Sequence, residues 1–175
     1  MGQPENTNAG VLTEFLVKDH RRLDGLFQAA GARPGSIDNH AYAQFRAGLL
    51  RHIGMEEKIL LPAAQRQRRG GPLPIAAKLR LDHGALASLL MPTPTAPILA
   101  TIQSILVGHN VLEEGGGGLY ETCDALVGLE AEPTLAALRA APDVIVMPYN
   151  DSPAIMNAVH RALERAGYHL HAPHS

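Results

Sequence analysis

Apolar positions recur at intervals of three and four along much of the chain, the period of a helix with one face turned to a core. From about Ala9 to Ala30 the series is Val11, Leu12, Phe15, Leu16, Leu23 and Phe27. GARPGS (31–36) stops it, with Gly31 placed as a C-terminal cap. A second helix starts near Ser36 or Asp38, both good N-caps, and runs toward Gln67 with Tyr42, Phe45, Leu49, Leu60 and Ala63 on its stripe. Pro62 falls inside it and predicts a kink or a break. A third helix spans about Pro74 to Leu90, with Ile75, Leu79, Leu86 and Leu90 on one face, and MPTPTAP (91–97) reads as an extended linker. A fourth begins near Pro97, with Ile98, Ile102, Ile105 and Leu106 inward. GGGG (115–118) predicts a break, bulge or loop, since each glycine costs about 1 kcal/mol against alanine inside a helix. A helical pattern resumes in LYETCDALVGL.

Four helices with short connections favour antiparallel neighbours, so the fold expected is all-α, an up-and-down four-helix bundle over residues 1–132. Beyond Pro133 the texture changes. Leu135 to Ala140 reads as a short helix, VIVMPY (144–149) as an extended segment, and Pro153 to Ala166 as a last helix capped by Ser152. Residues 133–175 are expected to form a C-terminal helical appendage packed on the bundle, and to offer a surface for a protein partner.

Composition narrows the class. At 175 residues there is room for one domain with a sizeable core. A net charge of -2 gives no electrostatic reason to expect nucleic acid or an anionic membrane as partner. One cysteine, Cys123, excludes an internal disulfide, and a buried inert thiol is expected there. MGQPENTNAG has neither the basic nor the apolar region of a signal peptide, and no apolar run approaches a membrane span, so a cytoplasmic protein is expected. Histidine is the unusual count, at nine.

Four of those histidines carry the chemistry. HIGMEE (52–57) is matched by HNVLEE (109–114), both H-x-x-x-E-E, and residues four apart share a helix face. His52 with Glu56, and His109 with Glu113, therefore lie on apolar stripes. Asp-His also occurs twice, at 19–20 and 82–83, with His20 between Leu16 and Leu23 and His83 between Leu79 and Leu86. A carboxylate on a core-facing stripe is costly unless paired. Folding the two halves together brings six groups into one core: His20, His52, Glu56, His83, His109 and Glu113. Four nitrogens and two carboxylates suit two first-row metal ions with Glu56 and Glu113 bridging; iron fits, with zinc and manganese as alternatives. Asp19 and Asp82 point off the ligand face, toward a helix neighbour, and Glu57 and Glu114 are expected at solvent, with a place behind a ligand as the alternative for either. His40 is expected to be solvated, Met55 to serve packing, and His169, His171 and His174 to form a loose tail cluster.

DHRRLD (19–24), HIGMEEKILLP (52–62), LDHGALASLL (81–90), HNVLEE and LYETCD together resemble the hemerythrin-like HHE cation-binding family over about residues 10–130. The resemblance implies a four-helix bundle holding two non-haem irons, with the four histidines as terminal ligands and Glu56 and Glu113 as bridges. Oxygen-carrying hemerythrins have a further histidine on the third helix, where this chain has Ala87. The position this leaves open is expected to take water or a side chain, Asp24, Tyr120 or Glu57; Asp24 is preferred among the three, although a solvated carboxylate or an acceptor beside the ligands is the more ordinary role for it. A set of four histidines and two glutamates is similar to that of the repair-of-iron-centres proteins, which respond to nitric oxide and oxidative stress, although this chain lacks their cysteine-bearing N-terminal domain. The function implied is binding, sensing or reducing O2, NO or peroxide, or handling iron, with redox chemistry favoured over reversible carriage. The competing expectation is a non-catalytic, metal-stabilised bundle that acts as an interaction module.

Overall fold

The computed structural model describes residues 10–69 and 71–172, and these are helical, with no strand among them. The first helix, α1, is Val11–Ala30, and Gly31 ends it by donating its N–H to Phe27 O. Helix α2 is Asn39–Met55, capped by Asp38, whose carboxylate accepts from the N–H groups of His40 and Ala41. After α4 (Ala76–Leu89) and α5 (Ala96–Glu114) come α6 (Leu119–Val127), a 3-10 turn, α7 (Ala131–Arg139) and α8 (Pro153–Ala166).

The kink or break expected at Pro62 takes a different form. Helix α2 runs without interruption into a π-helical turn, Glu56–Leu60, and then α3, Leu61–Gln67, with Pro62 in its first turn. Leu61 donates its N–H to Glu56 O, one residue further back than in an α-helix. Proline removes one backbone donor and crowds the carbonyl four residues before it. An extra residue in the preceding turn relieves that crowding and keeps the chain helical. The wide turn begins at Glu56.

Two apolar clusters form the core. One holds Leu23, Phe27, Phe45, Leu49, Leu86, Leu89, Ile102 and Ile105. The other holds Leu12, Leu16, Met55, Leu60, Leu79, Leu119 and Tyr120. Helices α1, α2–α3, α4 and α5 each contribute to both, or pack a residue against the second, and they pass from one cluster to the other in alternating order along the chain. In α1 the residue between Leu16 and Leu23 is His20; in α2 His52 lies between Leu49 and Met55; in α4 His83 lies between Leu79 and Leu86; in α5 His109 lies between Ile105 and Leu112. A polar layer thus crosses the core between two apolar ones.

The C-terminal segment completes these cores. Leu135 and Leu138 of α7 join the second cluster, and Val159, Leu163 and Ala166 of α8 join the first. Residues 141–152 connect the two helices without regular structure. Arg46 holds this connection, donating to Leu90 O at 2.5 Å and Met147 O at 2.8 Å with its guanidinium over the Tyr149 ring. His40 and His160 are exposed, as are His169 and His171; the expectation for His174 lies outside the described residues. No helix among the described residues is long and apolar enough to cross a membrane.

The N-terminus of α1 has no cap of its own, since Gly10 offers no side chain. Asp124 of α6 supplies one: its carboxylate accepts from Leu12 N (3.1 Å), Thr13 N (2.9 Å) and Thr13 Oγ1 (2.6 Å). Asp124→Ala is expected to destabilise the fold by about 1–2 kcal/mol, as loss of a helix cap does. Urea unfolding measures it, and an unchanged midpoint would show that α1 is held by packing alone.

Candidate metal centre

All six side chains expected from the sequence meet in the polar layer. Each is buried, and Glu56 and Glu113 have no exposed surface. Their ligand atoms form two groups in which every atom lies within 4.8 Å of the others. One group is His20, His52, Glu56 and Glu113; the second is Glu56, His83, His109 and Glu113. The two glutamates belong to both, so the geometry is that of two adjacent positions sharing a pair of carboxylates. Buried histidines and glutamates in this arrangement can hold metal ions.

The outward nitrogen of each imidazole is held by a second carboxylate. His52 Nδ1 lies 2.8 Å from Asp19 Oδ2, and His109 Nδ1 lies 3.4 Å from Asp82 Oδ2. His20 Nδ1 lies 2.6 Å from Glu114 Oε1, and His83 Nδ1 lies 2.7 Å from Glu57 Oε1. An ionised carboxylate can only accept, so Nδ1 carries the proton and Nε2 is left to face the centre. Each carboxylate meets a cation behind it: Arg22 for Asp19, Arg21 for Glu114, Arg80 for Glu57 and Lys78 for Asp82.

Of the two places expected for Glu57 and Glu114, solvent or behind a ligand, both take the second. The repeated Asp-His and Glu-Glu pairs are the signal for it. On a helix, adjacent residues point about a quarter-turn apart, so a neighbour of an inward ligand points sideways, at the next helix. Asp19 and Asp82 orient the histidine of the following H-x-x-x-E-E helix in their own half; Glu57 and Glu114 orient the Asp-His histidine of the opposite half.

Tyr120 breaks the symmetry. Its hydroxyl lies 2.7 Å from Glu56 Oε1, 3.2 Å from Glu113 Oε2, 2.9 Å from His20 Nε2 and 3.2 Å from His52 Nε2. It touches all four members of the first group. Asp24, the preferred extra ligand, is exposed, and its carboxylate accepts from Gln28 Nε2. Gly115–Gly118 explain the position of Tyr120. Gly117 has φ +72°, and a Cβ on Gly118 would come within 2.7 Å of Leu112 O and 2.9 Å of Glu113 O. A loop this tight lets α6 start against the end of α5 and turns Tyr120 back into the layer. Cys123, on the same helix, is buried as expected, and burial pushes its thiol up to about 12.

The second group has no such hydroxyl. His83 Nε2, Glu56 Oε2 and Glu113 Oε1 are buried without a hydrogen-bond partner among the described residues. His83 Nε2 lies 3.1 Å from Glu56 Oε2, but the two are not aligned as a hydrogen bond. Polar atoms that converge at contact distance without bonding one another fit a common cation.

Among protein groups alone, imidazoles and carboxylates stabilise each other's charge. Burial acts to lower His52, but Glu56 and the bond to Asp19 outweigh it and raise His52 to about 10. Burial likewise opposes protonation of His83, which Glu113, Glu56 and Glu57 raise to about 11, and of His109, which Asp82 and Glu113 raise to about 9. Burial would raise Glu56 and Glu113, yet the surrounding histidines hold both below the usual carboxylate range. Tyr120 is pushed well above its ordinary value, by burial first and then by the two glutamates.

Compared with known proteins, the chain matches no family model, no curated protein and no solved structure.

With metal removed by a chelator, the raised imidazoles contribute stability that is complete below 6.5 and lost as pH rises through about 9 to 11. The lowered glutamates contribute above 4.5 and lose it on acidification. The chelated protein is therefore expected to melt highest between pH 4.5 and 6.5 and progressively lower toward alkaline pH. Metal uptake has the opposite sign, because the raised imidazoles of His52, His83 and His109 must shed a proton. Thermal melts across pH with and without metal check both slopes, and parallel profiles would overturn the assignment.

Proposed function

We propose that this chain is a hemerythrin-like protein whose first four helical stretches form an antiparallel bundle around two non-haem metal ions. The observation that carries this reading is the pair of donor groups sharing Glu56 and Glu113, with every imidazole oriented from behind by a carboxylate. Two nitrogens and two shared carboxylates per position suit iron, and zinc or manganese satisfies the same donors. His20 and His52 would hold one ion, His83 and His109 the other, with Glu56 and Glu113 bridging. Tyr120 would join the first position, since its hydroxyl already contacts every ligand there.

Two irons held by His20, His52, Glu56, His83, His109 and Glu113 would supply redox chemistry toward a small molecule such as O2, NO or peroxide. The chain's own residues do the rest. Asp19, Glu57, Asp82 and Glu114 hold the imidazoles in the tautomer that faces inward. Two apolar clusters flank the layer, one on each side. The Tyr120 hydroxyl donates a hydrogen bond to Glu56 Oε1 over 2.7 Å and so holds that carboxylate in place. Only one of the two groups holds a phenol, so two bound ions would differ in the donors around them.

The test is metal content and visible spectrum of protein purified without a histidine tag, before and after peroxide. About two irons per chain are expected, with near-none in Glu56→Ala, Glu113→Ala. In the ferric protein a phenolate charge-transfer band is expected and should vanish in Tyr120→Phe while iron is retained. One zinc and a silent spectrum would instead assign a structural metal and a non-catalytic bundle.

A further inference from the structure

Asp24 shares a face of α1 with His20, yet it stays at the surface, outside both donor groups. Its carboxylate accepts from Gln28 Nε2 at 3.5 Å and pairs with no Lys or Arg among the described residues. The carboxylates that hold the imidazoles, Asp19, Glu57, Asp82 and Glu114, each meet a cation. Asp24 therefore keeps an unbalanced negative charge one turn from a ligand histidine.

A pocket of about 110 Å³ is lined by both residues. Asp24, Gln28, Gln103 and Val107 line it and are exposed, so they mark its outer end. His20, His52 and His109 mark its inner end, and between them they belong to both donor groups. His20, at 6 % exposed, is the most accessible of the six donors. Leu23, Phe27, Phe45 and Leu49 supply apolar wall between the two ends.

The fixed charge along this route has one sign. Its lining holds one carboxylate, Asp24, and neither Lys nor Arg among the described residues. Wider surface clefts of about 460 to 730 Å³ are each lined by at least one guanidinium, from Arg22, Arg139, Arg46 or Arg33, and none of these clefts is lined by any of the six donors. A carboxylate at the mouth of a cleft with low-dielectric walls focuses its field inward and concentrates counter-ions there. A neutral diatomic or peroxide gains nothing from that field, whereas a divalent cation does. The pocket has room for an ion that keeps some of its water, one water taking up about 30 Å³. Amide oxygens such as those of Gln28 and Gln103 are among the groups that replace such waters.

We propose that this pocket is the entry route for divalent metal ions, with Asp24 as the outer carboxylate that draws the ion in and His20 and His52 as the donors it reaches. The proposal rests on the metal-centre reading and gives a role to residues outside the two donor groups. Asp24 sets the rate of loading and leaves its extent alone, because it is not among the final donors.

The experiment follows cobalt(II) uptake by the full chain after chelation, by stopped-flow absorbance of the bound ion, with the number of ions bound at equilibrium measured on the same samples. Asp24→Asn is expected to slow uptake by about three- to tenfold while two ions still bind. Uptake by the unaltered protein is expected to slow as salt rises, and Asp24→Asn to lose most of that dependence. Val107→Phe puts a larger side chain at an exposed position of the mouth. It is expected to slow uptake and chelator-driven release by the same factor, since a barrier leaves the equilibrium unchanged. Two ions bound at unchanged rates in both variants would overturn the entry route and leave the metal centre standing. Unchanged cobalt uptake in Val107→Phe, with a slowed peroxide reaction of its iron-loaded form, would also overturn it and assign the pocket to the small molecule. Absence of saturable cobalt binding in the unaltered protein removes the metal-centre reading, and the entry route with it.

Discussion

Two glutamates with no exposed surface constrain everything else in this molecule. A carboxylate taken out of water must be neutralised or paired, and the penalty for failing to do so exceeds what a single hydrogen bond returns. Glu56 and Glu113 are surrounded by four imidazoles, and the carboxylates are offset either by protons on His52, His83 and His109 or by cations held between imidazole and carboxylate. Both solutions require the same geometry, and the backbone is shaped to deliver it. The π-helical turn starts at Glu56, and the glycine loop starts just after Glu114.

The donor layer is organised by halves. In each, an Asp-His pair on one helix and an H-x-x-x-E-E phrase on a later one supply two imidazoles and one shared carboxylate. The residues beside the ligands reach sideways to hold imidazoles on other helices. Four chains of cation, carboxylate and imidazole therefore run from the surface to the centre, one for each histidine. They leave each ring little freedom, which is the preorganisation a metal centre needs. Tyr120 enters from outside the repeat and contacts both glutamates but the imidazoles of the first half only. The near-symmetric scaffold thereby acquires two chemically different positions.

The C-terminal helices belong to the same argument. Helix α8 covers the first apolar cluster, and the stretch after it reaches the donor layer indirectly. Lys78 Nζ donates to Asp82, which faces His109, and also to Ala166 O and the Tyr168 hydroxyl at 3.2 Å each. One of the four cations is thus positioned by the C-terminal segment, while the other three are arginines near their carboxylates. Residues 133–175 look like an appendage in sequence, yet they contribute buried side chains to both clusters and fix one link to the centre.

The local features were legible from the chain alone. Helical period placed His20, His52, His83 and His109 on core-facing stripes, because a residue's face depends only on its spacing from its neighbours. The same rule put Glu56 and Glu113 one turn beyond two of those histidines, and the cost of burying them named the kind of chemistry required. What the chain alone did not determine was which residues beside the ligands would be used. Glu57, Glu114, Asp19 and Asp82 point at other helices, and their partners depend on how those helices are laid against one another. Asp24 shares a face with His20 and is the natural reserve ligand by spacing, yet it is the Tyr120 hydroxyl that reaches the layer, because the turn at Gly115–Gly118 aims α6 inward. Pro62 announced an irregularity, but whether the helix broke or widened depended on the packing of Leu60 and Leu61 in the second cluster. Spacing along one helix is set by covalent geometry and is present in the sequence. Contacts between helices are set by which surfaces can be buried together, and only the folded chain decides them.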